Sequence, residues 1–511
     1  MSDLSVHFAS KPDPCPERFN LARYAVGEAA LRWPDKAALL VVDGERPDEA
    51  IQIWTFAEVD AAVRRAAGAL AELGLGRRDR VLIRIGDTPL FPIAYFGVIA
   101  AGGVAMPLSS RLSVEELSTI AADADPRFAV LDADCPAFST NAERLDVGAL
   151  KGEPLDYVDT EANDPAQLVY TSGTSGKPKG VLHAQRSVWA RRMMQQGWHD
   201  MRESDRVMHT GAFNWTYVLG CGLSDPWAVG ATAILNAGDR APDVWPRLAM
   251  KWRPTVFASV PGLYRRILKY ADGLDEGFSA LRHGLTAGEA LSPNIRASWE
   301  AATGKPLFES LGMSEISTFI SSGPHHETPE GSMGNPQPGR HVAILGDDGA
   351  PVPLGEAGVL AVHQSDPGLM LGYWRDAART RAAYAGEWFL TGDRAVMGEG
   401  GALTYLGRND DMMNAQGYRV APQEVEAALV LHPSVSECGV TEVTVEDGLS
   451  IIAAWIVSDD RIEPEALRDH CTQHLAGYKV PRAFHQIDTL PRTANGKVRR
   501  RALTTVQAIS L

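Results

Sequence analysis

The feature that most limits the folds open to this chain is the regular exchange of helix and strand spacing over the first four hundred residues. Thr55-x-x-Glu58 is a capping-box pattern, in which the two side chains satisfy backbone N–H groups of a starting helix. Behind it Val59, Val63, Ala66, Ala67, Leu70 and Leu73 recur at the spacing of one helix face. Gly74 and Gly76 then predict a stop, and Val81-Leu82-Ile83 predicts a strand. Short apolar runs of the same kind return at 128–131, 168–170, 231–235 and 255–258, separated by helical segments. The pattern predicts an α/β fold of layers on largely parallel sheets.

At 511 residues the chain is too long for one compact core. Near residue 345 Gly and Pro become frequent and apolar runs crowd together, as at Gly358-Val-Leu-Ala-Val362, which predicts a small β-rich unit. Beyond Gly407 the charged run Arg408-Asn-Asp-Asp411 reads as a joint. The expected boundaries are a large N-terminal domain over 1–408, its β-rich subdomain over about 340–408, and a small α+β domain over 409–511.

Chemistry enters at Tyr170-Thr-Ser-Gly-Thr-Ser-Gly-Lys-Pro-Lys-Gly180. An apolar strand runs there into glycines, hydroxyls and lysines. Gly173 and Gly176 let backbone N–H groups point inward at close range. The hydroxyls of Thr171, Ser172, Thr174 and Ser175 can donate to phosphate oxygens, and Lys177 or Lys179 brings positive charge. This is not a Walker A loop, because Pro178 follows Lys177 where that motif needs Ser or Thr. A flexible Gly/Ser linker is the plain alternative; Lys-Pro-Lys after an apolar strand argues against it.

The formal net charge of −15 argues against a broad nucleic-acid surface. The five cysteines, Cys15, Cys135, Cys221, Cys438 and Cys471, lie far apart without a C-x-x-C, so neither a disulfide framework nor a zinc site is expected. The N-terminus carries no basic-then-apolar leader and no stretch resembles a membrane span. A cytoplasmic enzyme without nucleic-acid partner is the expectation.

The loop resembles the phosphate-loop signature of the adenylate-forming superfamily, which holds acyl- and aryl-CoA synthetases, peptide-synthetase adenylation domains and firefly-type luciferases. Further motifs follow in the family's order, and the likeness spans residues from about 30 to about 500. Thr286-Ala-Gly-Glu-Ala-Leu291 resembles the segment along the adenine, which implies roles there for Gly288 and Glu289. Glu309-Ser-Leu-Gly-Met-Ser-Glu315 resembles the aromatic-Gly-x-Thr-Glu motif. By that likeness Ser310, Leu311, Gly312, Met313 and Ser314 border the nucleotide, and Glu315 serves magnesium, a hard cation suited to a carboxylate. Leu311 stands where an aromatic is usual, and Ser314 where Thr is. Trp388-Phe-Leu-Thr-Gly-Asp393 resembles the motif whose aspartate, here Asp393, grips the ribose hydroxyls.

The run from Gly407 to Arg419 is similar to the family's joint between domains, which implies that the small domain over 409–511 is mobile. Implied there are Arg408 at the ribose, Asp410 as hinge, and Gly417, Tyr418 and Arg419 beside CoA. Asn414 stands where a lysine is usual. Leu490-Pro-Arg-Thr-Ala-Asn-Gly-Lys497 resembles the C-terminal lysine motif. Singly, several of these have plainer readings: Gly-Glu and Gly-Asp pairs are common turns, and a lone lysine in a basic tail is usually solvated. Their joint order separates them from those readings.

The resemblance implies an ATP-dependent carboxylic acid–CoA ligase that uses ATP, Mg2+ and CoA. Lys497, Glu315 and Thr171 are its expected catalytic residues. The acid would attack the α-phosphate to give an acyl-adenylate and pyrophosphate, and a thiol would then displace AMP. The acyl pocket is expected among Phe213, Trp215, Tyr217, Gly288 and Met313, although the three aromatics read equally well as core. An aromatic or short-to-medium aliphatic monocarboxylate is the expected acid. Two rivals stand beside this reading: a free-standing adenylation enzyme that loads a carrier protein, and a non-catalytic nucleotide sensor. A homodimer, and a lysine acetyltransferase that would remove the Lys497 charge, are further partner expectations.

Overall fold

The computed structural model describes residues 4–8, 13–172, 178–408, 413–415, 418–446, 449–458, 460–492, 498–506 and 508–510. Helix Phe56–Glu72 starts where the capping box places it: Thr55 accepts the Glu58 N–H, and the Glu58 carboxylate accepts the Thr55 N–H at 2.8 Å. Helix Val114–Ala124 repeats the device with Ser113 and Glu116. Val59, Val63, Ala66, Ala67 and Leu70 are buried along one face, as the spacing predicts.

Among the described residues two large sheets carry the chain. In the seven-stranded sheet Arg80–Arg84, Val104–Pro107, Phe128–Leu131, Glu143–Asp146 and Pro165–Ser172 run parallel, and Pro178–Ala184 and Gly372–Tyr373 close one edge antiparallel. In the nine-stranded sheet six neighbours are parallel: Leu307–Met313, His283–Ala287, Val256–Ser259, Arg206–His209, Thr232–Asn236 and Ala37–Val42. Antiparallel strands flank them, Ser317–Ser321 on one side and Ala50–Thr55 on the other. Leu39 and Val41 of the second sheet share one apolar cluster with Val81 and Ile83 of the first, together with helices Phe56–Glu72 and Leu90–Ala100. The helices therefore fill the space between the sheets. That explains why Leu90–Ala100 is apolar on all sides rather than striped.

A six-stranded sheet follows, built in part from His341–Leu345, Ala357–His363, Tyr384–Ala385, Trp388–Met397 and Leu403–Arg408. Its sixth strand is Val6–Phe8, from the far end of the chain, paired antiparallel with His341–Leu345. Three residues are too few to carry a readable period. The C-terminal part folds on a four-stranded sheet with helices Pro422–Val430 and Pro464–His474, around its own core of Val425, Leu429, Val440, Ile452, Leu467 and Phe484. The fold is thus α/β with a small α+β C-terminal unit. No helix among the described residues is long and apolar enough to cross a membrane.

Candidate active site

The loop hangs from an antiparallel hairpin, Pro165–Ser172 against Pro178–Ala184, in which Thr171 pairs with Lys179 and Ser172 with Pro178. Gly173, Thr174, Ser175, Gly176 and Lys177 lie outside the described residues, as do Asp410, Gly417 and Lys497; of Ser172, Tyr418 and Arg419 only the backbone is described. The Thr171 hydroxyl is buried with no partner among the described residues. An unpaired buried hydroxyl is costly, so a ligand oxygen at this place would repay it.

Lys179 reaches from the hairpin to Glu315, with Nζ 2.6 Å from Oε1. The Tyr373 hydroxyl donates to the same oxygen at 2.9 Å, and the Lys179 ammonium also lies 4.9 Å from the Tyr373 ring centre. Burial works against the Glu315 charge, but Lys179 and Tyr373 outweigh it and hold the carboxyl below its usual range. Three distant stretches meet here: the hairpin, the turn between strands Leu307–Met313 and Ser317–Ser321, and strand Gly372–Tyr373 at the sheet edge.

The turn that carries Glu315 is held from below. His183 Nε2–H donates to the Ser314 carbonyl at 2.7 Å, and Met370 N–H donates to the Glu315 carbonyl at 2.8 Å. Arg191, paired with Asp225 at 2.6 Å, donates to the Ser317 hydroxyl. It does so through a gap that needs glycine, since a β-carbon at Gly220 would stand 2.0 Å from its guanidinium. Arg340, wholly buried with Asp366 at 2.6 Å, donates to the Thr318 carbonyl at 2.9 Å. Two buried guanidinium groups thus brace the strand directly after Glu315.

Gly288 ends strand His283–Ala287 with φ +98°, and a β-carbon there would stand 3.2 Å from the Trp215 ring edge. Trp215 packs edge-on to Tyr217 at 5.3 Å, and Tyr217 stacks on Trp198 at 5.8 Å. Phe213 instead stacks on Phe91 at 5.6 Å within the core between the sheets. Leu311 and Met313 pack against the cluster around Ile316, Leu369 and Met370. The Ser310 hydroxyl is taken up by the Ile320 carbonyl at 2.7 Å, and Gly312 lies against the backbone of Ser317 and Thr318. Glu289 meets Arg492 of the C-terminal part at 3.3 Å.

Asp393 is buried on strand Trp388–Met397, opposite Arg408. Its Oδ1 accepts from the Tyr405 hydroxyl at 3.1 Å and lies 3.4 Å from Arg408 Nη1. Sequence reasoning missed Tyr373, Tyr405, His183 and the two bracing arginines. Gly-Tyr-Trp at 372–374, after the Gly/Pro-rich approach, was the one local signal for Tyr373.

A buried carboxylate tied to a strand lysine, a threonine hydroxyl with no partner among the described residues and a buried aspartate inside the six-stranded sheet are groups of the kind that a nucleotide site uses. A family model described as AMP-binding enzyme matches residues 26–374, and one described as AMP-binding enzyme C-terminal domain matches residues 424–497. The chain belongs to this AMP-binding enzyme family and is an AMP-forming acid–thiol ligase. It is 31% identical to a 3-hydroxybenzoate–CoA ligase of Aromatoleum sp. (strain CIB), covering 87% of this chain and 90% of that one. It is 31% identical to a benzoate–CoA ligase of Thauera aromatica, covering 98% and 99%. Among solved structures, the anthranilate CoA ligase AuaEII in complex with anthranoyl-AMP superposes with a TM-score of 0.86 at 28% identity, over 96% of this chain and 98% of that one. A benzoate CoA ligase from Burkholderia xenovorans LB400 gives 0.83 at 28% identity, over 95% and 99%.

Proposed function

We propose that this enzyme activates an aromatic monocarboxylate with ATP and transfers its acyl group to CoA. The observation that carries the nucleotide half is the Lys179–Glu315–Tyr373 cluster, together with the Thr171 hydroxyl, which has no partner among the described residues. The acid's class rests on the Gly288–Trp215–Tyr217 wall and on relatives that act on benzoate and 3-hydroxybenzoate.

A carboxylate is a poor acyl donor and repels the phosphates it must attack. In the first step one carboxylate oxygen bonds the α-phosphorus of ATP, the α–β bridging bond breaks, and pyrophosphate leaves with its electron pair. Lys179, and Lys497 by its motif, supply the charge that lets the two anions meet. Thr171 donates to a phosphate oxygen, and Asp393 accepts from the ribose hydroxyls. Glu315 would hold Mg2+, which would neutralise phosphate charge there. The fit is one carboxylate with the remaining ligands left to phosphate and water, since no cluster of three metal-ligating side chains exists among the described residues. In the second step the CoA thiolate attacks the acyl carbon, and AMP leaves with the oxygen that came from the acid.

The test is a panel of carboxylic acids with Mg2+–ATP, with and without CoA, read as AMP, pyrophosphate and acyl-CoA by mass spectrometry. Acyl-CoA from benzoates, with equal AMP, is the expected result. Pyrophosphate exchange without acyl-CoA would move the acceptor to a carrier protein. Nucleotide binding without either would make the chain a sensor.

A further inference from the structure

A cavity of about 420 Å³ opens between the N-terminal segment, the stretch 188–199 and the loop at Pro338. Small-molecule sites measure about 300–1,000 Å³. The cavity shares no lining residue with the Gly288–Trp215–Tyr217 wall. Tyr24, Trp189, Val229 and Pro338 give it aromatic and apolar sides, and Arg191, Asp225 and His199 line it with buried polar atoms. Two π-helical turns border it: Arg23–Gly27, which carries Tyr24, and Gln195–His199. Such turns are rare and occur mostly at functional sites.

His199 sets what the cavity can bind. Its side chain is 3% exposed. Nδ1 accepts the Met201 N–H at 3.4 Å, which puts the ring proton on Nε2. Burial pushes the ring's pKa down to about 4, so it is neutral. The Nε2–H lies 3.7 Å from Asp225 Oδ2, beyond hydrogen-bond reach, and has no partner among the described residues. A ligand acceptor placed there would satisfy it. The charges are already matched. Asp225 takes Arg191 through both oxygens at 2.6 Å, and Arg192 pairs with Asp13 at 3.3 Å. An uncharged ring with one carbonyl oxygen suits these sides and this single donor.

Arg191 also faces the turn that carries Glu315. Besides donating to the Ser317 hydroxyl, it lines a smaller cavity of about 50 Å³ together with His183, Ser314 and Ser317. Ser317 holds φ +72°, a left-handed conformation that is costly outside glycine. One guanidinium thus joins the large cavity to a strained residue two positions after Glu315.

We propose that the 420 Å³ cavity is a second small-molecule site, for an uncharged aromatic compound with a carbonyl acceptor, and that Arg191 couples its occupancy to the Glu315 turn. The ring packs against Trp189 and Tyr24, and the carbonyl accepts from His199. The site stands apart from acid activation, and no turnover is needed to observe it.

The probe is 4-fluorobenzamide, which has the ring and the carbonyl, carries no charge and lacks the carboxylate that adenylation needs. Binding to the full-length protein is read by 19F NMR, and its place by hydrogen–deuterium exchange. The expected result is binding with slowed exchange over 188–199 and 225–229 and altered exchange over 314–318. His199→Phe should weaken binding about fivefold, and His199→Gln, which keeps a donor, should recover most of it. Val229→Trp, which fills the cavity from its side, should block binding. Ser317→Ala should leave binding unchanged and remove the altered exchange over 314–318. No binding at millimolar probe, slowed exchange over 213–217 and 286–289 instead, or equal binding by His199→Phe would overturn the site. Altered exchange over 314–318 that persists in Ser317→Ala would overturn the coupling.

Discussion

Removing one oxygen from Tyr373 tests how the site holds Glu315, the carboxylate proposed to serve magnesium. Tyr373→Phe deletes the hydroxyl that donates to Glu315 Oε1 at 2.9 Å, while the ring that the Lys179 ammonium overlies at 4.9 Å is retained. A hydrogen bond to a charged acceptor contributes about 1.5–3 kcal/mol, and a tyrosine that is only partly buried places this one near the lower end. About 1.5 kcal/mol is about tenfold in an equilibrium constant. The Mg2+ concentration for half-maximal activity at fixed ATP should therefore rise about tenfold, and Mn2+ binding to the enzyme–ATP complex, read by electron paramagnetic resonance, should weaken alike. A pH effect should accompany it. Glu315 sits below its usual range, so it is ionised through the working range, and loss of a donor to the carboxylate raises its pKa. The acid limb of the rate profile should then move to higher pH. An unchanged Mg2+ requirement together with an unmoved acid limb would refute this account of Tyr373.

Gly288→Ala forces a side chain onto φ +98° and into the Trp215 edge at 3.2 Å. The strain is about 1–3 kcal/mol, and use of bulky aromatic acids should fall more than use of small aliphatic ones; an unchanged acid profile would count against the wall. Arg340→Met leaves Asp366 buried without its guanidinium and should cost about 3–5 kcal/mol by urea unfolding, with partial recovery in the double variant carrying Asp366→Asn; a loss under about 1 kcal/mol would contradict the bracing role. Burial pushes His199 to about 4, His209 to about 3 and His283 to about 4, so all three are neutral in the folded chain. The unfolded chain binds those protons first as pH falls below about 6.5, so each histidine should remove about 1.4 kcal/mol of stability per pH unit down to its folded value. Glu309, lifted by burial to about 7 in spite of Arg296 at 2.6 Å, opposes them in part, because its folded form keeps a proton that the unfolded form has lost. Stability measured by urea at pH 7.5 and pH 5.5 should be lower at pH 5.5; a flat or reversed dependence would contradict the neutral histidines.

Much of the fold was legible because its signals are local. The capping box at Thr55 and the spacing behind it fix one helix, and the runs at 81–83 and 128–131 fall in neighbouring parallel strands. The pairing of Val6–Phe8 with His341–Leu345 was not legible, since nothing in three residues names a partner so far along the chain. The site divides in the same way. Lys179, Glu315 and Asp393 are carried by contiguous motifs and can be read from them. Their supports, Tyr373, Tyr405, Arg191 and Arg340, come from separate segments and are defined only by tertiary approach. The aromatics at 213–217 show the limit of spacing: Phe213 enters the core between the sheets while Trp215 lies against Gly288, two residues apart in one loop.

The central claim is that the acid's own oxygen bonds the α-phosphorus of ATP. Turnover of a benzoate labelled with 18O in its carboxylate, with Mg2+–ATP and CoA, tests it most directly. The account predicts one 18O atom in the AMP released and none in pyrophosphate. Label in inorganic phosphate, or AMP formed without label, would contradict it.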